Sequence, residues 1–394
     1  MSIDKVCVVG AGAVGGVLGT RLASHGVRVS ALARGATLAA LRAHGWRLRE
    51  REAHPGPPGA AQAPASGVAQ ERASGVAQAS ASGVAQERAS GVAQAPASGA
   101  AQAPASGAAQ TRGAGSVVTA PVVASGDPGE LGVQDLVVVS VKATALGDAV
   151  SALPALVGPD TVVLTAMNGV PWWFFAAGEG LPAELRGMRL RAVDPDGTIA
   201  ATVPAEHVLG GVVHYSAAVA EPGVAVLNAL GHGLIVGEPD GSRSERAAQV
   251  VDLLSAAGIP TVLSTRIQAD VWYKLWGNMT MNPVSVLTGA TSDRILDDPL
   301  VYEFCAGVMR EAAEVGDRIG CHIDETVADR MTVTRGLGAM TTSMLQDARS
   351  GRPIELDALV GAVREIAAAV GVPTPATDAL MGLTRLAARE RSLY

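Results

Sequence analysis

Apolar runs without any regular polar position recur through the first 170 residues and predict buried strands. The clearest are KVCVV, LVVVSV and TVVLTA, at residues 5–9, 136–141 and 161–166. Strands that are apolar on both faces are typical of a parallel sheet covered by helices. VRVSALAR at 27–34 predicts a second strand, and SVVTAPVV at 116–123 predicts an edge or return strand.

The pattern changes twice further along the chain. Residues 212–241 alternate and contain the turn sequences EPG and GHG, which predicts an antiparallel extension and therefore a mixed sheet. From about Thr265 the apolar spacing becomes helical, with no convincing strand. Caps and prolines then divide this part into helices, which we predict at 267–289, 298–319, 324–336, 341–349, 354–371 and 375–390.

An octad repeat interrupts the α/β part. From Ala65 to Arg112 the units read ASGVAQER, ASGVAQAS, ASGVAQER, ASGVAQAP, ASGAAQAP and ASGAAQTR, after a degenerate copy at 57–64. Their hydrophobic side chains are no larger than valine, so stacked units cannot bury enough apolar surface to offset the ordering entropy. We predict a disordered, linker-like insertion at 54–114, with partner binding as the alternative.

A glycine turn directly follows the first strand. Gly10, Gly12 and Gly15 form the GxGxxG of GAGAVG, and the helix-like sequence VLGTRLASHG comes next. In a strand–turn–helix unit such glycines allow a tight turn, approach of the backbone to a pyrophosphate, and close packing of helix on strand. Ala13 and Val14 begin the helix, whose free N–H groups favour phosphate. The position of the motif predicts a dinucleotide site.

The end of the second strand bears on the choice of cofactor. An NAD enzyme places a carboxylate there for the ribose 2′-hydroxyl, whereas this chain has Arg34 and no acid. A guanidinium can bind a 2′-phosphate through two hydrogen bonds, so we predict NADPH. The alternative is that Arg34 is an ordinary solvated loop residue.

Polar residues follow two of the predicted buried strands. Lys142 comes directly after the strand at 136–141, and Asn168 lies just beyond the strand at 161–166. Ligands of open α/β sheets bind outside the carboxyl ends of the strands, so both side chains are placed to contact a cofactor. The alternatives are a solvated lysine and an Asn-Gly turn without a ligand.

A ladder of three polar residues crosses the first helix of the C-terminal part. Lys274, Asn278 and Asn282 recur at every fourth position of VWYKLWGNMTMNPVSVL, which places them on one helix face. A buried ammonium without a carboxylate costs about several kcal/mol or loses its proton, so we expect a polar ligand opposite this face. A surface stripe on an amphipathic helix is the alternative.

Together these patterns predict two domains with a cleft between them. Residues 1–264 form an α/β Rossmann-like domain with the antiparallel extension, and residues 265–394 form an all-α domain. Lys274 lies one or two turns into the first helix of the second domain, where we expect it to face the cleft.

Composition excludes several other classes of protein. The 394 residues are 48% hydrophobic and carry a formal net charge of −7, which allows a large core and gives no basic footprint for nucleic acid. Without a membrane-length apolar run or a signal-peptide pattern, we expect a cytoplasmic protein that does not bind membranes. Cys7, Cys305 and Cys321 have neither metal-ligand nor redox spacing, so no metal site is indicated.

The chain resembles the ketopantoate reductases (2-dehydropantoate 2-reductases) over essentially its whole length apart from the octads. The matching sequences are GAGAVG, Arg34, SVKA around Lys142, the Asn-Gly at 168, YSAAVAEPGVAVLNALG, the Lys274 ladder with Pro283, SMLQD at 343–347 and IELD at 354–357. The order and spacing of the later sequences make the resemblance specific to the broad family.

The resemblance implies an NADPH-dependent enzyme of pantothenate synthesis that reduces a small 2-oxo acid. It implies that the cofactor is bound by the turn and helix start at Gly10, Gly12, Ala13, Val14 and Gly15, and by Arg34, Lys142 and Asn168. It also implies roles at the substrate: Lys274 as general acid, Asn278 and Asn282 as holding groups, Ser343 at the substrate carboxylate, and Glu355 as an assisting residue.

These implied roles agree with the chemistry of the reaction. Hydride attack on a 2-oxo carbon leaves negative charge on the carbonyl oxygen, and a positioned ammonium both stabilises this charge and donates the proton. We expect Glu355 either to keep Lys274 protonated and oriented or to bind a substrate hydroxyl.

Two departures from the family leave the substrate open. Met340 stands where many members carry asparagine, and the VPWWFF stretch at 170–175 is unusually aromatic, as is the cluster of Trp272, Tyr273 and Trp276. Core packing is the alternative reading of these aromatic residues. Three hypotheses therefore stand: ketopantoate reduction, reduction of another branched 2-oxo acid, and a non-catalytic NADP-binding sensor or scaffold. For the oligomeric state, the hypothesis that we consider is a homodimer.

Overall fold

The structure is a computed structural model that describes residues 3–51, 117–178 and 180–394. The predicted insertion at 54–114 lies outside these residues. The strands are β1 (Lys5–Val9), β2 (Arg28–Leu32), β3 (Trp46–Glu50), β4 (Val117–Ala120), β5 (Val123–Ser125), β6 (Leu136–Val139), β7 (Val162–Ala166), β8 (Val208–Val213), β9 (Ser216–Glu221), β10 (Val224–Ala229), β11 (Leu234–Gly237) and β12 (Thr261–Ser264).

The α-helices are α1 (Ala13–Ser24), α2 (Gly35–His44), α3 (Leu146–Val150), α4 (Thr198–Thr202), α5 (Glu245–Ala256), α6 (Ile267–Thr288), α7 (Ser292–Asp297), α8 (Pro299–Arg318), α9 (Val327–Arg335), α10 (Ser343–Arg349), α11 (Ala362–Val370) and α12 (Pro375–Glu390). A π-helical turn, Asp357–Gly361, leads into α11. Within the described ranges, no helix is long and apolar enough to cross a bilayer.

The main sheet is mixed, as the sequence predicts. Its strand order in the described residues is β12-β11-β8-β7-β6-β1-β2-β5. Strand β1 pairs in parallel with β2 and β6, and β11 pairs antiparallel with β8. The all-apolar runs form the buried centre, where Cys7, Val137 and Leu164 are fully inaccessible to solvent. The predicted fold class is therefore confirmed.

A second, smaller sheet has the order β4-β3-β10-β9 and accounts for one wrong prediction. The run at 116–123 is not a single strand, because β4 pairs antiparallel with β3 whereas β5 pairs in parallel with β2 in the main sheet. Pro121 separates them, since proline has no N–H to continue a ladder. Ser116 lies outside the described residues.

The predicted helices after residue 265 all occur, with shifts at their ends. The segment at 354–371 differs most: its α-helical part begins only at Ala362, after the π-helical turn, and Glu355 precedes both. Helices α2, α3, α4, α5 and α7 and strands β3 and β12 were not predicted. Helix α6 is fixed against α8 by Trp272 and Trp276, whose buried indole N–H groups donate to α8 carbonyls.

The glycine turn has the geometry that its sequence predicts. Gly10 has a φ of +97°, which a residue with a side chain rarely adopts. A Cβ at Gly15 would overlap the carbonyl oxygen of Gly10 and would lie 2.8 Å from Val8 Cγ1, so α1 packs directly on β1. A Cβ at Gly12 would meet no heavy atom within 4 Å. The turn is therefore closed on the strand side and open on the other.

Replacing Gly15 with alanine should lower the free energy of unfolding by about 1–3 kcal/mol, because the added methyl group overpacks the contact between helix and strand. Gly12→Ala is the matched control and should stay within about 0.5 kcal/mol of the parent protein. Urea denaturation of all three proteins measures both effects. Equal stability of the two variants would contradict the close packing at Gly15.

Candidate functional site

The glycine turn lies at the carboxyl edge of the main sheet and fits the phosphates of a dinucleotide. Gly12 is the N-cap of α1 and no side chain caps the helix, so the first N–H groups of α1, at Ala13 and Val14, point out of the helix end without a side-chain acceptor. Both residues are half-buried. Backbone donors, the positive end of a helix dipole and free space beside Gly12 are the features that a pyrophosphate requires.

Arg34 lies where the sequence places it, just beyond β2. It is the N-cap residue of α2, and its side chain is 69% exposed. Its nearest ion-pair partner is Asp148 on α3, at 3.8 Å and itself exposed. The guanidinium is thus free to turn toward a ligand at this edge of the sheet.

Lys142 is held by two buried carboxylates. Its Nζ lies 2.9 Å from Asp347 Oδ2 and 3.1 Å from Glu355 Oε2. The N–H of Ala143 also donates to Glu355 Oε1, at 2.8 Å. Burial by itself would lower the pKa of Lys142, but the charges of Glu355 and Asp347 outweigh it and raise the pKa above its ordinary value. This ion-pair cluster joins the sheet edge to the segments around α10 and the π-helical turn.

The sequence predicted that Glu355 either keeps Lys274 protonated and oriented or binds a substrate hydroxyl, and the structure adds direct partners for its carboxylate. The carboxylate of Glu355 is used by Lys142 and Ala143, and it reaches Lys274 only through its electric field. The role of Asp347 was missed. Its signal was present in SMLQD, since Asp347 lies one helical turn after Ser343 on α10.

Lys274 points from α6 at the ends of two neighbouring strands. Its Nζ donates to Asn168 Oδ1 at 2.8 Å and to the carbonyl oxygen of Val213, the last residue of β8, at 2.5 Å. Burial lowers the pKa of Lys274 to about 8, with Glu355 opposing the shift and the charge of Lys142 adding to it. An ammonium held by neutral acceptors in this way can give up its proton near neutral pH.

Asn168 is positioned by the turn that follows β7. Gly169 has a φ of +86°, and a Cβ there would lie within 3 Å of Ala358 in the π-helical turn. Val170 N donates to the carbonyl oxygen of Ala358, at 2.9 Å. The Asn-Gly turn therefore exists, as the alternative reading proposed, and it also presents Asn168 to Lys274.

The other two ladder residues, Asn278 and Asn282, have no side-chain partner in the described part of the chain. Asn282 is buried and Asn278 is half-buried, so the ladder is not a solvated stripe. Neither side-chain amide has a hydrogen bond within the described part of the chain. Ser343 is exposed at the first position of α10, and its neighbour Thr342 lies 2.6 Å, hydroxyl to hydroxyl, from Ser285, one turn beyond Asn282. The structure thus brings the start of α10 beside the end of the ladder.

A cavity of about 100 Å³ lies next to Asn168 and Glu355. Its wall is mainly apolar and includes Trp172, Trp173 and Val271. The aromatic stretch after β7 is therefore core packing, as the alternative reading proposed, but its first two tryptophans also shape a space beside the polar groups. Trp173 Nε1 donates to Thr165, which fixes its ring.

Family models match most of the chain. The model described as ketopantoate reductase PanE/ApbA C terminal matches residues 266–388, and the model described as ketopantoate reductase PanE/ApbA matches residues 6–76 and 93–172. The first match contains Lys274 and Glu355, and the second contains the glycine turn, Lys142 and Asn168.

Individual proteins give the same result. The 2-dehydropantoate 2-reductase of Mesorhizobium japonicum is 40% identical over 275 residues, which are 70% of this chain and 83% of that protein. The crystal structure of a candidate ketopantoate reductase from Ralstonia solanacearum MolK2 is 46% identical and covers 100% of both chains, with a TM-score of 0.79. The structure of D-mandelate dehydrogenase with NADH and anilino(oxo)acetate, 19% identical, shares the fold, with a TM-score of 0.69 over 98% of this chain and 99% of that one.

The ion-pair cluster of Lys142 should contribute measurably to stability. We expect Asp347→Asn to lower the free energy of unfolding by about 1–3 kcal/mol, less than the loss of a fully buried pair because the Lys142 side chain is 42% exposed. Asp378→Asn removes the same charge from an exposed pair with Arg364 and should cost at most about 0.5 kcal/mol. Thermal and urea unfolding compare the variants. A loss at Asp347 no larger than that at Asp378 would refute the structural role of the cluster.

Proposed function

The chain belongs to the ketopantoate reductase family, and we propose that it reduces 2-dehydropantoate (ketopantoate) to pantoate with NADPH as the hydride donor. The observation that carries this proposal is Lys274, an ammonium of lowered pKa held by Asn168 and Val213 at the head of a ladder of unpartnered amides. A reduced carbonyl needs such a proton donor. The 2-dehydropantoate 2-reductase at 40% identity supports the same substrate.

We propose that residues 1–264 bind the cofactor and residues 265–394 bind the substrate. In this proposal the open side of the turn at Gly12 and the N–H groups of Ala13 and Val14 hold the pyrophosphate, together with Gly10 and Gly15. NADPH, when bound, supplies the hydride. Arg34 binds the 2′-phosphate, and Lys142 and Asn168 lie along the carboxyl edge of the sheet toward the reacting end.

Lys274 acts as the general acid in the proposed reaction. Its proton goes to the former oxo oxygen as charge develops there, and the amide of Asn168 with the carbonyl of Val213 keeps Nζ aimed at this point. Asn278, Asn282 and Ser343 hold the rest of the substrate, because the two amides have free donors and acceptors and Ser343 follows Thr342, whose hydroxyl contacts Ser285 one turn beyond Asn282. Glu355 fixes Lys142 and favours the charged form of Lys274 through its field.

Reduction of a different branched 2-oxo acid is the second candidate. It is favoured by the apolar cavity beside Asn168 and Glu355, and by Met340, which is 36% exposed near the start of α10. A bulkier apolar tail than that of ketopantoate would gain contacts there. A non-catalytic NADP sensor is the third hypothesis, which predicts cofactor binding without turnover.

The cytoplasmic location and the homodimer remain predictions. Leu383 and Leu386 of α12 are about 60% exposed, and such apolar side chains on one helix are suited to contact between subunits. Sedimentation of the full chain would measure the assembly.

The proposal is tested by NADPH oxidation with ketopantoate and a panel of branched and aromatic 2-oxo acids. We expect kcat/KM for reduction to fall about tenfold per pH unit above pH 8, because the acid must be protonated and its pKa is about 8. Lys274→Ala should lose about a hundredfold or more of the rate and retain NADPH binding. Only Lys5, Lys142 and Lys274 are lysines, so the exposed Lys5→Ala is the matched control.

Each outcome of this assay selects one hypothesis. Preferred turnover of ketopantoate, lost in Lys274→Ala and kept in Lys5→Ala, supports the proposal. Preference for another acid selects the second candidate. NADPH binding without turnover of any acid, unchanged by Lys274→Ala, selects the sensor.

Arg34→Ala should weaken NADPH binding about tenfold and leave NADH binding unchanged, because only NADPH carries the 2′-phosphate. The expected effect is modest, since an exposed guanidinium is well solvated. Arg28→Ala is the control, because Arg28 is exposed at the opposite end of β2. Fluorescence titration with both cofactors measures the change. Equal weakening for NADPH and NADH would assign Arg34 another role.

A further inference from the structure

One tyrosine lies where the chain passes from the main sheet to the second sheet, and it reaches the helix of the glycine turn. Tyr215 stands between β8, which ends at Val213 in the main sheet, and β9, which begins at Ser216 in the second sheet. Its hydroxyl donates to the carbonyl oxygen of Val14, at 3.2 Å. Val14 is the second residue of α1, so this contact falls in the first helical turn.

The hydroxyl of Tyr215 is a polar group in apolar surroundings. The side chain is 7% exposed and belongs to the same buried apolar cluster as Ala225 and Leu227 of β10. Burial raises the pKa of Tyr215, so the hydroxyl keeps its proton near pH 7 and remains a donor. A phenylalanine ring would fill the same space. The core therefore does not require the hydroxyl, and its function is sought at Val14.

The glycine turn and the start of α1 are held from two sides. After β6, the hydroxyl of Ser140 donates to the carbonyl oxygen of Gly10, at 2.9 Å. Against the second sheet, a Cβ at Gly16 would lie 2.7 Å from the Cβ of Ala225, so the helix lies directly on β10. Tyr215 adds a polar contact from the crossing between the two sheets. The first turn of α1 is thus fixed by both sheets.

The carbonyl that this tyrosine contacts shares a peptide unit with a donor at the helix start. The first bond of the helical ladder runs from Gly16 N to the carbonyl oxygen of Gly12, at 2.8 Å. The N–H groups of residues 13–15 come before it and have no acceptor within the helix. The carbonyl of Val14 and the N–H of Gly15 form one peptide unit. A hydrogen bond to the oxygen of an amide polarises it and makes its N–H a stronger donor.

We propose that Tyr215 is a positioning residue for the pyrophosphate of the cofactor; this rests on the dinucleotide site of the proposed function. Through its bond to Val14 it fixes the first turn of α1 and strengthens the donors at the open end of the helix. NADPH and NADH share the pyrophosphate. The contribution of Tyr215 is therefore the same for both cofactors, in contrast to that of Arg34, which depends on the 2′-phosphate.

The test measures the binding of NADPH, NADH and ADP, which all carry a pyrophosphate group, by calorimetric titration of the full chain. We expect Tyr215→Phe to raise the Kd of each ligand about fivefold, the effect of losing one neutral hydrogen bond. KM for the 2-oxo acid at saturating NADPH should change by less than about twofold, because the substrate does not contact the glycine turn in the proposed site. This difference separates loss of the pyrophosphate contact from a general disturbance of the site.

Thr20→Val is the matched control on the same helix. The buried hydroxyl of Thr20 donates to the carbonyl oxygen of Gly16, at 2.7 Å, which lies beyond the free donors of α1. Each variant loses one hydroxyl hydrogen bond to a carbonyl of α1, so both should lower the melting temperature by a similar amount, about 1–3 °C. Only Tyr215→Phe should change the Kd of the three ligands.

Three results would overturn the inference. Unchanged Kd values in Tyr215→Phe would refute it, and so would equal weakening in Thr20→Val, which would assign the effect to a general loosening of α1. Weakening for NADPH alone would connect Tyr215 to the 2′-phosphate instead of the pyrophosphate.

Failure of the proposed function gives a different result. A parent protein that binds the cofactors but reduces no 2-oxo acid refutes the proposed reaction, while the Kd values still decide the role of Tyr215. A parent that binds none of the three ligands refutes both.

Discussion

The ion-pair cluster of Lys142 with Glu355 and Asp347 is the contact on which the site depends. It ties the end of β6 to residues about 200 positions later in the chain, on both sides of the segment that leads into the π-helical turn. The same turn receives the Asn-Gly corner after β7. Two strand ends are thereby fixed against the helical part, and Lys274 of α6 has a defined place between them.

Lys142, which belongs to this cluster, and Lys274 differ in pKa and therefore in role. Two carboxylates raise the pKa of Lys142, whereas burial and the charge of Lys142 lower the pKa of Lys274. Environments that drive neighbouring pKa values apart give each group a separate role. Lys142 stays charged and holds structure, and in the proposed reaction Lys274 transfers the proton. Asn168 and Val213 offset part of the cost of burying Lys274 without adding the negative charge that would hold its proton too tightly.

The sequence predicted the strands, turns and helices that carry the site better than it predicted which side chains pair with one another. All-apolar runs and a glycine turn are local signals, and they located β1, β6, β7 and the start of α1. The pairing of Glu355 with Lys142 rather than Lys274 is a long-range contact, and no spacing rule encodes it. Pro121 indicates in the sequence that the strand is interrupted. That the two halves then join two different sheets depends on tertiary pairing.

The packed helix α6 and the loops near the site determine different aspects of function. Lys274, the proposed proton donor, stands on a helix that Trp272 and Trp276 join to α8 through buried hydrogen bonds, so its position is set by the core. The cavity beside Asn168 is lined by the segment after β7, and Met340 lies in the loop before α10. Loops tolerate change that a packed helix does not. Reaction type therefore follows from the core of this fold, whereas the identity of the 2-oxo acid follows from side chains that can vary without disturbing it.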